Sequence, residues 1–323
     1  MAFVLSAVIF LCGIVPTLAE LPPQFVIVSF DGAGDAAELR AWLDAGDRVG
    51  ARFTFFLSGV YLLAGDRSTR YHPPQHPAGA SDIGFAIKPD DADVRSGIAE
   101  LVAALNDADA RDHEIATHFN GHFCGRRPGA VSWWSTRDWE RELDEFDALT
   151  RDVARNNDIE AAVRFRTVVG ARTPCLEGDP RRVRAALRDR GFSYDASAAG
   201  YPGRWPWHDD VWVFPIPLIP VDGEPFATLA TDFNFYLNQS GAEDAEPAEA
   251  AGFADQMYRS LVAYFDAQYR GARAPMSVAY HFEDWNHGAY RNALLRFLDE
   301  TCRRQDVRCT TYRDVVGYLA QLP

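Results

Sequence analysis

The stretch Gln24-Phe25-Val26-Ile27-Val28-Ser29-Phe30-Asp31-Gly32 is an apolar run that closes on a carboxylate and a glycine. A continuous run of this kind suits a strand covered on both faces, as in the middle of a parallel sheet. An aspartate at the end of such a strand is costly to desolvate unless it meets a metal, an arginine or a helix N-terminus. Asp31 is therefore a candidate functional residue. Asp35 is instead placed to cap the helix expected over residues 36–48.

Outward from this strand, Arg52 to Leu57, Glu114 to Thr117, Val163 to Gly170, Phe192 to Tyr194, Val211 to Ile216, Met276 to His281 and Cys309 to Tyr312 read as further strands. Helices are expected over about 92–106, 136–156, 180–190, up to 269, and 290–304, with one more at the C-terminus. Residues 59–90 form a proline- and glycine-containing loop long enough to line a site. Alternation of strand and helix implies parallel strands in a barrel or a doubly wound sheet. No GxGxxG follows the first strand, which disfavours a dinucleotide fold. The expectation is an α/β protein with a single distorted (β/α) barrel over residues 20–323.

The net charge of −14 disfavours nucleic acid as a partner. Phe3 to Ile14 is apolar but short for a membrane span, and Thr17-Leu18-Ala19 offers a cleavage site. Residues 1–19 therefore read as a signal peptide, with a short anchor as the competing reading, and a secreted or periplasmic mature chain without a transmembrane segment follows. Export leaves four cysteines in an oxidising compartment. Their spacing favours Cys302 with Cys309, which leaves Cys124 to pair with Cys175.

His118 and His122 lie four residues apart just past the third strand, a spacing that lets two imidazoles reach one divalent metal from one face of a helical turn. Spacing alone is a weak signal, because His72 and His76 share it among prolines that forbid a helix. Arg172 closes another strand and could orient a carboxylate, although most such arginines make weak surface ion pairs. His281 closes a late strand and could act as a general acid, although a lone histidine is more often a core residue.

The order Ser29-Phe30-Asp31-Gly32, His118-x-x-x-His122, Arg172-x-Pro174, Tyr194-Asp195 and a strand ending in His281 resembles the polysaccharide deacetylase family, which includes chitin, peptidoglycan and acetylxylan deacetylases. The resemblance spans nearly all of the mature chain. It implies metal-dependent removal of acetyl groups from a glycan, N-acetylglucosamine-type above all, with a divalent metal, usually zinc, on His118 and His122. It further implies that Asp31 is base or third ligand, that Arg172 orients it, that His281 protonates the leaving group, and that Asp195 supports. Trp285, Trp205 and Trp207 could stack on sugars. The family's first motif carries two adjacent aspartates where this chain has Asp31 and Gly32, so one of two roles is vacant. A non-catalytic glycan-binding barrel is the alternative function.

Overall fold

A computed structural model describes residues 21–86 and 91–322, so the leader expected over residues 1–19 lies outside it. In chain order the strands are β1 (Gln24–Gly32), β2 (Thr54–Leu57), β3 (Glu114–Thr117), β4 (Gly170–Ala171), β5 (Tyr194–Gly200), β6 (Trp207–Asp209), β7 (Val211–Pro220), β8 (Ala227–Leu229), β9 (Met276–His281) and β10 (Val307–Cys309). The helices are α1 (Ala36–Val49), α2 (Asp91–Ala110), α3 (Thr136–Arg151), α4 (Val153–Asn157), α5 (Pro180–Asp189), α6 (Asp232–Ser240), α7 (Pro247–Arg270), α8 (Trp285–Thr301) and α9 (Tyr312–Leu319).

The apolar run of β1 does what its composition requires. It is buried from Gln24 to Phe30 and pairs in parallel with β9 on one edge and with β10 and then β2 on the other. From β1 the parallel order continues through β2, β3, β4, β5 and β7, and the short β6 and β8 add to β7 antiparallel. The sheet curls until β7 approaches β9. Ala230 spans that gap: its N–H donates to Pro217 of β7 and its carbonyl accepts from Ala279 of β9. The expected distorted barrel is thus present, closed on this side by one residue.

Local chemistry sets the helix ends. Asp35 accepts from the Ala37 and Glu38 amides at the start of α1, Ser135 and Asp138 form a capping box on α3, and Thr231 caps α6. Strands expected at Phe192–Tyr194 and Cys309–Tyr312 lie instead at Tyr194–Gly200 and Val307–Cys309, the helix expected over 136–156 divides into α3 and α4, and two larger differences follow. The strand expected over Val163–Gly170 shrinks to Gly170–Ala171. The polar groups of 162–167 bond instead to side chains, Ala162 and Arg164 to Asn106 and Thr167 to Arg313, so no ladder forms. The sequence reading also lacks α6, an Asn- and Phe-containing segment of modest propensity that depends on its Thr231 and Gly241 caps.

Both expected disulfides are present, Cys124–Cys175 and Cys302–Cys309. Among the described residues no helix is long and apolar enough to cross a membrane. β4 has little ladder to hold it, and the Tyr194 ring lies directly over Gly170, where an added Cβ would come within 1.8 Å of Cζ. Gly170→Ala should therefore cost about 1–3 kcal/mol of unfolding free energy through overpacking, read as a lower urea midpoint.

Candidate active site

Strand register gathers the candidate residues. Asp31 is the Cα partner of His281 on β9 and of Phe56 on β2. One step along, Gly32 faces Leu57, Leu57 faces Thr117, Thr117 faces Ala171 and Ala171 faces Asp195. The amides of His118 and Arg172 extend the ladder, donating to Leu57 and Thr117 carbonyls. Asp31, His118, His122 and His281 consequently line one cleft of about 740 Å³ at the C-terminal ends of the strands.

Arg172 is fully buried, and each of its guanidinium nitrogens has a partner. Nη1 donates to Asp31 Oδ1 at 2.7 Å and to Ser29 Oγ at 2.9 Å, Nη2 to the Tyr312 hydroxyl at 2.9 Å, and Nε to the Ala196 carbonyl at 3.1 Å. The Phe56 ring lies 4.2 Å beneath it. Burial opposes the charge of Asp31, but Arg172, helped by His118 and His281, outweighs it and holds the carboxyl below its usual range. Asp195 stays out of the cleft. It pairs with Arg184 and accepts from the Ser197 amide, and the Ser197 hydroxyl in turn accepts from Thr173. Asp195 thereby shapes the bulge of β5 whose Ala196 carbonyl holds Arg172.

His281 is clasped by a residue the sequence reading does not single out. Buried Asp232 accepts from the His281 backbone amide at 2.7 Å through one oxygen and contacts Nδ1 at 2.8 Å through the other. Burial alone would lower this imidazole's pKa; Asp232, assisted by Asp31, raises it to about 9 instead. The ring is cationic at neutral pH, with Nε2 left to act. The only signal for Asp232 in the sequence is its place one residue after a Thr N-cap. Trp285 lines the cleft beside His281, stacked on Tyr236 with ring centroids 5.1 Å apart and packed against the exposed Phe233.

His118 and His122 do not share a helical turn. They sit in a loop with left-handed φ at Phe119 and His122, and their ring centroids are 5.3 Å apart. The helical turn expected from their spacing is replaced by this kink. The His118 Nδ1 lies 2.9 Å from the Arg172 carbonyl, which can only accept, so Nε2 carries the lone pair. Burial, with the Arg172 and His122 charges, lowers the His118 pKa to about 4 against the pull of Asp31, and burial lowers His122 as well. Underneath, buried Glu142 binds the Tyr71 hydroxyl and the Gly121 amide and accepts from Asn120 through its carbonyl. The Cys124–Cys175 disulfide fastens the far end of the loop to the segment after Arg172.

Two neutral imidazoles with free lone pairs suit the histidine half of a divalent-metal site. Position 32 is glycine, Asp31 keeps one carboxylate oxygen on Arg172, and among the described residues its carboxylate does not join the two imidazoles as a trio of donor atoms within 4.8 Å of one another. Among the described residues, the one trio of donor atoms lying within 4.8 Å of one another is His122, Cys124 and Cys175, and its sulfurs are joined in the disulfide.

No family model matches the sequence, and no curated protein matches it either. Among solved structures, the chain is similar to a protein from Mycobacterium smegmatis that carries the name polysaccharide deacetylase, with TM-score 0.55 and 15% identity over 94% of this chain and 92% of that one. It is also similar to one from Pseudomonas aeruginosa PAO1 carrying the same name, with TM-score 0.53 and 14% identity over 93% and 92%. The fold is that of the polysaccharide deacetylases.

On this deacetylase fold the aromatic expectations divide. Trp285 borders the cleft, whereas Trp205 is not among the residues that line it: its indole N–H donates to Ala272, and it packs against the core cluster that includes Phe25 and Phe214. Trp207 lies on the antiparallel edge strand under Arg204. His72 and His76 stay away from the cleft, His76 stacking on Phe123 and bonding to the Gly129 carbonyl. The clasp on His281 has a measurable signature. By NMR its ring should titrate near 9 in the wild type and lower in Asp232→Asn. Because this folded-state pKa lies above the ordinary 6.5, the stabilisation from the pair is complete below 6.5 and is lost as pH rises through about 9.

Proposed function

We propose that this chain is an exported hydrolase that removes acetyl groups from a glycan, with N-acetylglucosamine-type polymers the favoured substrate. The observation that carries the reading is the pair of oppositely tuned groups on adjoining strand ends: Asp31 held ionised by Arg172, and His281 held protonated by Asp232. Groups whose environments push their pKa values apart fit a base and an acid.

In the reaction, a water oxygen bonds to the acetyl carbonyl carbon while Asp31 takes the water's proton. His281 gives its proton to the leaving nitrogen or oxygen as the bond from carbon to that atom breaks. The products are acetate and a free amine or hydroxyl, and a proton returns from Asp31 to His281 through solvent. A carboxylate with a lowered pKa is a weak base, so the water it deprotonates must be made more acidic. That is the Lewis-acid chemistry a divalent metal, zinc by preference, supplies when held by His118 and His122. Trp285 and Phe233 offer sugar-stacking faces beside the acid.

Paired cysteines and the apolar leader support a secreted or cell-envelope location, with residues 1–19 removed and 20–323 forming the catalytic barrel. Gly32 favours a second reading, a glycan-binding barrel without turnover, since it leaves the metal with two protein ligands.

One experiment separates the two readings: acetate release from acetylated chitooligosaccharides, xylan and peptidoglycan, with metal analysis of the purified protein. Chelator or His118→Ala should cut the rate at least about a hundredfold. Release indifferent to both treatments would remove the metal from the mechanism, and oligosaccharide binding with no release at all would establish the second reading.

A further inference from the structure

Tyr61 stands beside the vacancy at position 32. It belongs to the 3₁₀ turn Gly59–Leu62 that follows β2. The turn is fastened on both sides of the cleft: the Ser58 amide donates to the Gly32 carbonyl at 3.0 Å, and the Gly59 amide to the Phe119 carbonyl at 2.8 Å. It therefore ties the end of the Asp31 strand to the histidine loop.

The ring of Tyr61 lies across the backbone of residues 32–34. A Cβ built on Gly32 would sit 3.6 Å from Tyr61 Cε2 and 3.8 Å from its hydroxyl oxygen, and one on Gly34 would come within 2.5 Å of the ring. Gly34 thus owes its lack of a side chain to the aromatic ring above it. Gly32 has φ +89, where a carboxylate-bearing residue would be strained. Tyr61 borders both the cleft and an adjoining cavity of about 370 Å³. Tyr61 is half-buried, and among the described residues its hydroxyl makes no hydrogen bond to a protein group. A hydroxyl on the wall of the cleft that no protein group engages is available to a ligand.

We propose that the Tyr61 hydroxyl contacts the substrate and donates a hydrogen bond to the acetyl carbonyl oxygen as that oxygen becomes anionic. The inference rests on the deacetylase reading and adds a donor to it. Burial and the negative charge of Glu283 raise the phenol's pKa, so it keeps the proton it must donate. A neutral phenol differs in kind from a second carboxylate: it stabilises developing negative charge and contributes none.

Tyr61→Phe tests the donor while keeping the ring over Gly34. The expected result is a fall in kcat on the order of a hundredfold, as for loss of one oxyanion donor. KM should stay within about twofold, because the bond is made in the transition state rather than in the bound substrate. By calorimetry, Tyr61→Phe should weaken binding of a tetrahedral phosphonate analogue of the acetyl group and leave binding of the deacetylated oligosaccharide unchanged. The thermal midpoint should not move. Gly34→Ala, which keeps the hydroxyl but displaces the ring, should lose kcat and phosphonate affinity in the same direction. Active wild type with kcat and phosphonate affinity unaltered in both variants overturns the role of Tyr61 alone. Wild type that neither releases acetate nor binds the phosphonate overturns the deacetylase reading, and this inference with it.

Discussion

A guanidinium in a protein interior is tolerable only when its donors are met and its charge is answered. Arg172 imposes that constraint here. Its partners come from β1 (Ser29 and Asp31), from β5 (Ala196) and from α9 (Tyr312), and its own carbonyl meets His118. Elements far apart in sequence are thus indexed to one side chain. Deleting a partner in such a buried pair leaves an uncompensated charge, typically about 3–5 kcal/mol. Asp195 and Ser197 belong to the same requirement, since they hold the bulge that presents the Ala196 carbonyl.

Around this cation the site divides its protonation states without isolating them. Arg172 keeps Asp31 ionised; Asp31 in turn supports the charge on His281, where Asp232 does most. His118 and His122 lie in the same cleft but stay neutral, because burial and the nearby positive charges outweigh the carboxylate. Three histidines of identical intrinsic chemistry therefore present two proton donor–acceptor states within one cavity, and the difference comes from a single buried aspartate on α6.

Much of this was legible in the chain. The unbroken apolar run of β1 and the exact extents of β3 and β9 follow from hydrophobic pattern, and the rule of polar residues at strand ends brings forward Asp31, Arg172 and His281 as candidates, which the strand register sets side by side. The pattern did not extend to residues 163–169, whose β-like composition is overridden by side chains that capture its backbone. Nor did it reveal Asp232, because a carboxylate after an N-cap threonine looks like ordinary first-turn charge. The kink between His118 and His122 depends on two left-handed residues that are not glycine, and a spacing argument cannot see those. Tyr61 was hidden for a similar reason: its significance lies in the two glycines beneath it.

The single-residue closure between β7 and β9 gives Asp232 a double duty. The segment that bridges the gap at Ala230 continues through Thr231 directly into this carboxylate, which reaches over the seam to grip both the main chain and the ring of His281. The contact across this seam and the acidity of one imidazole are therefore set by the same two oxygens. Mutational drift cannot retune that acidity at Asp232 without also loosening or tightening the wall, so the seam's stiffness and the pH at which His281 gives up its proton would have to change together.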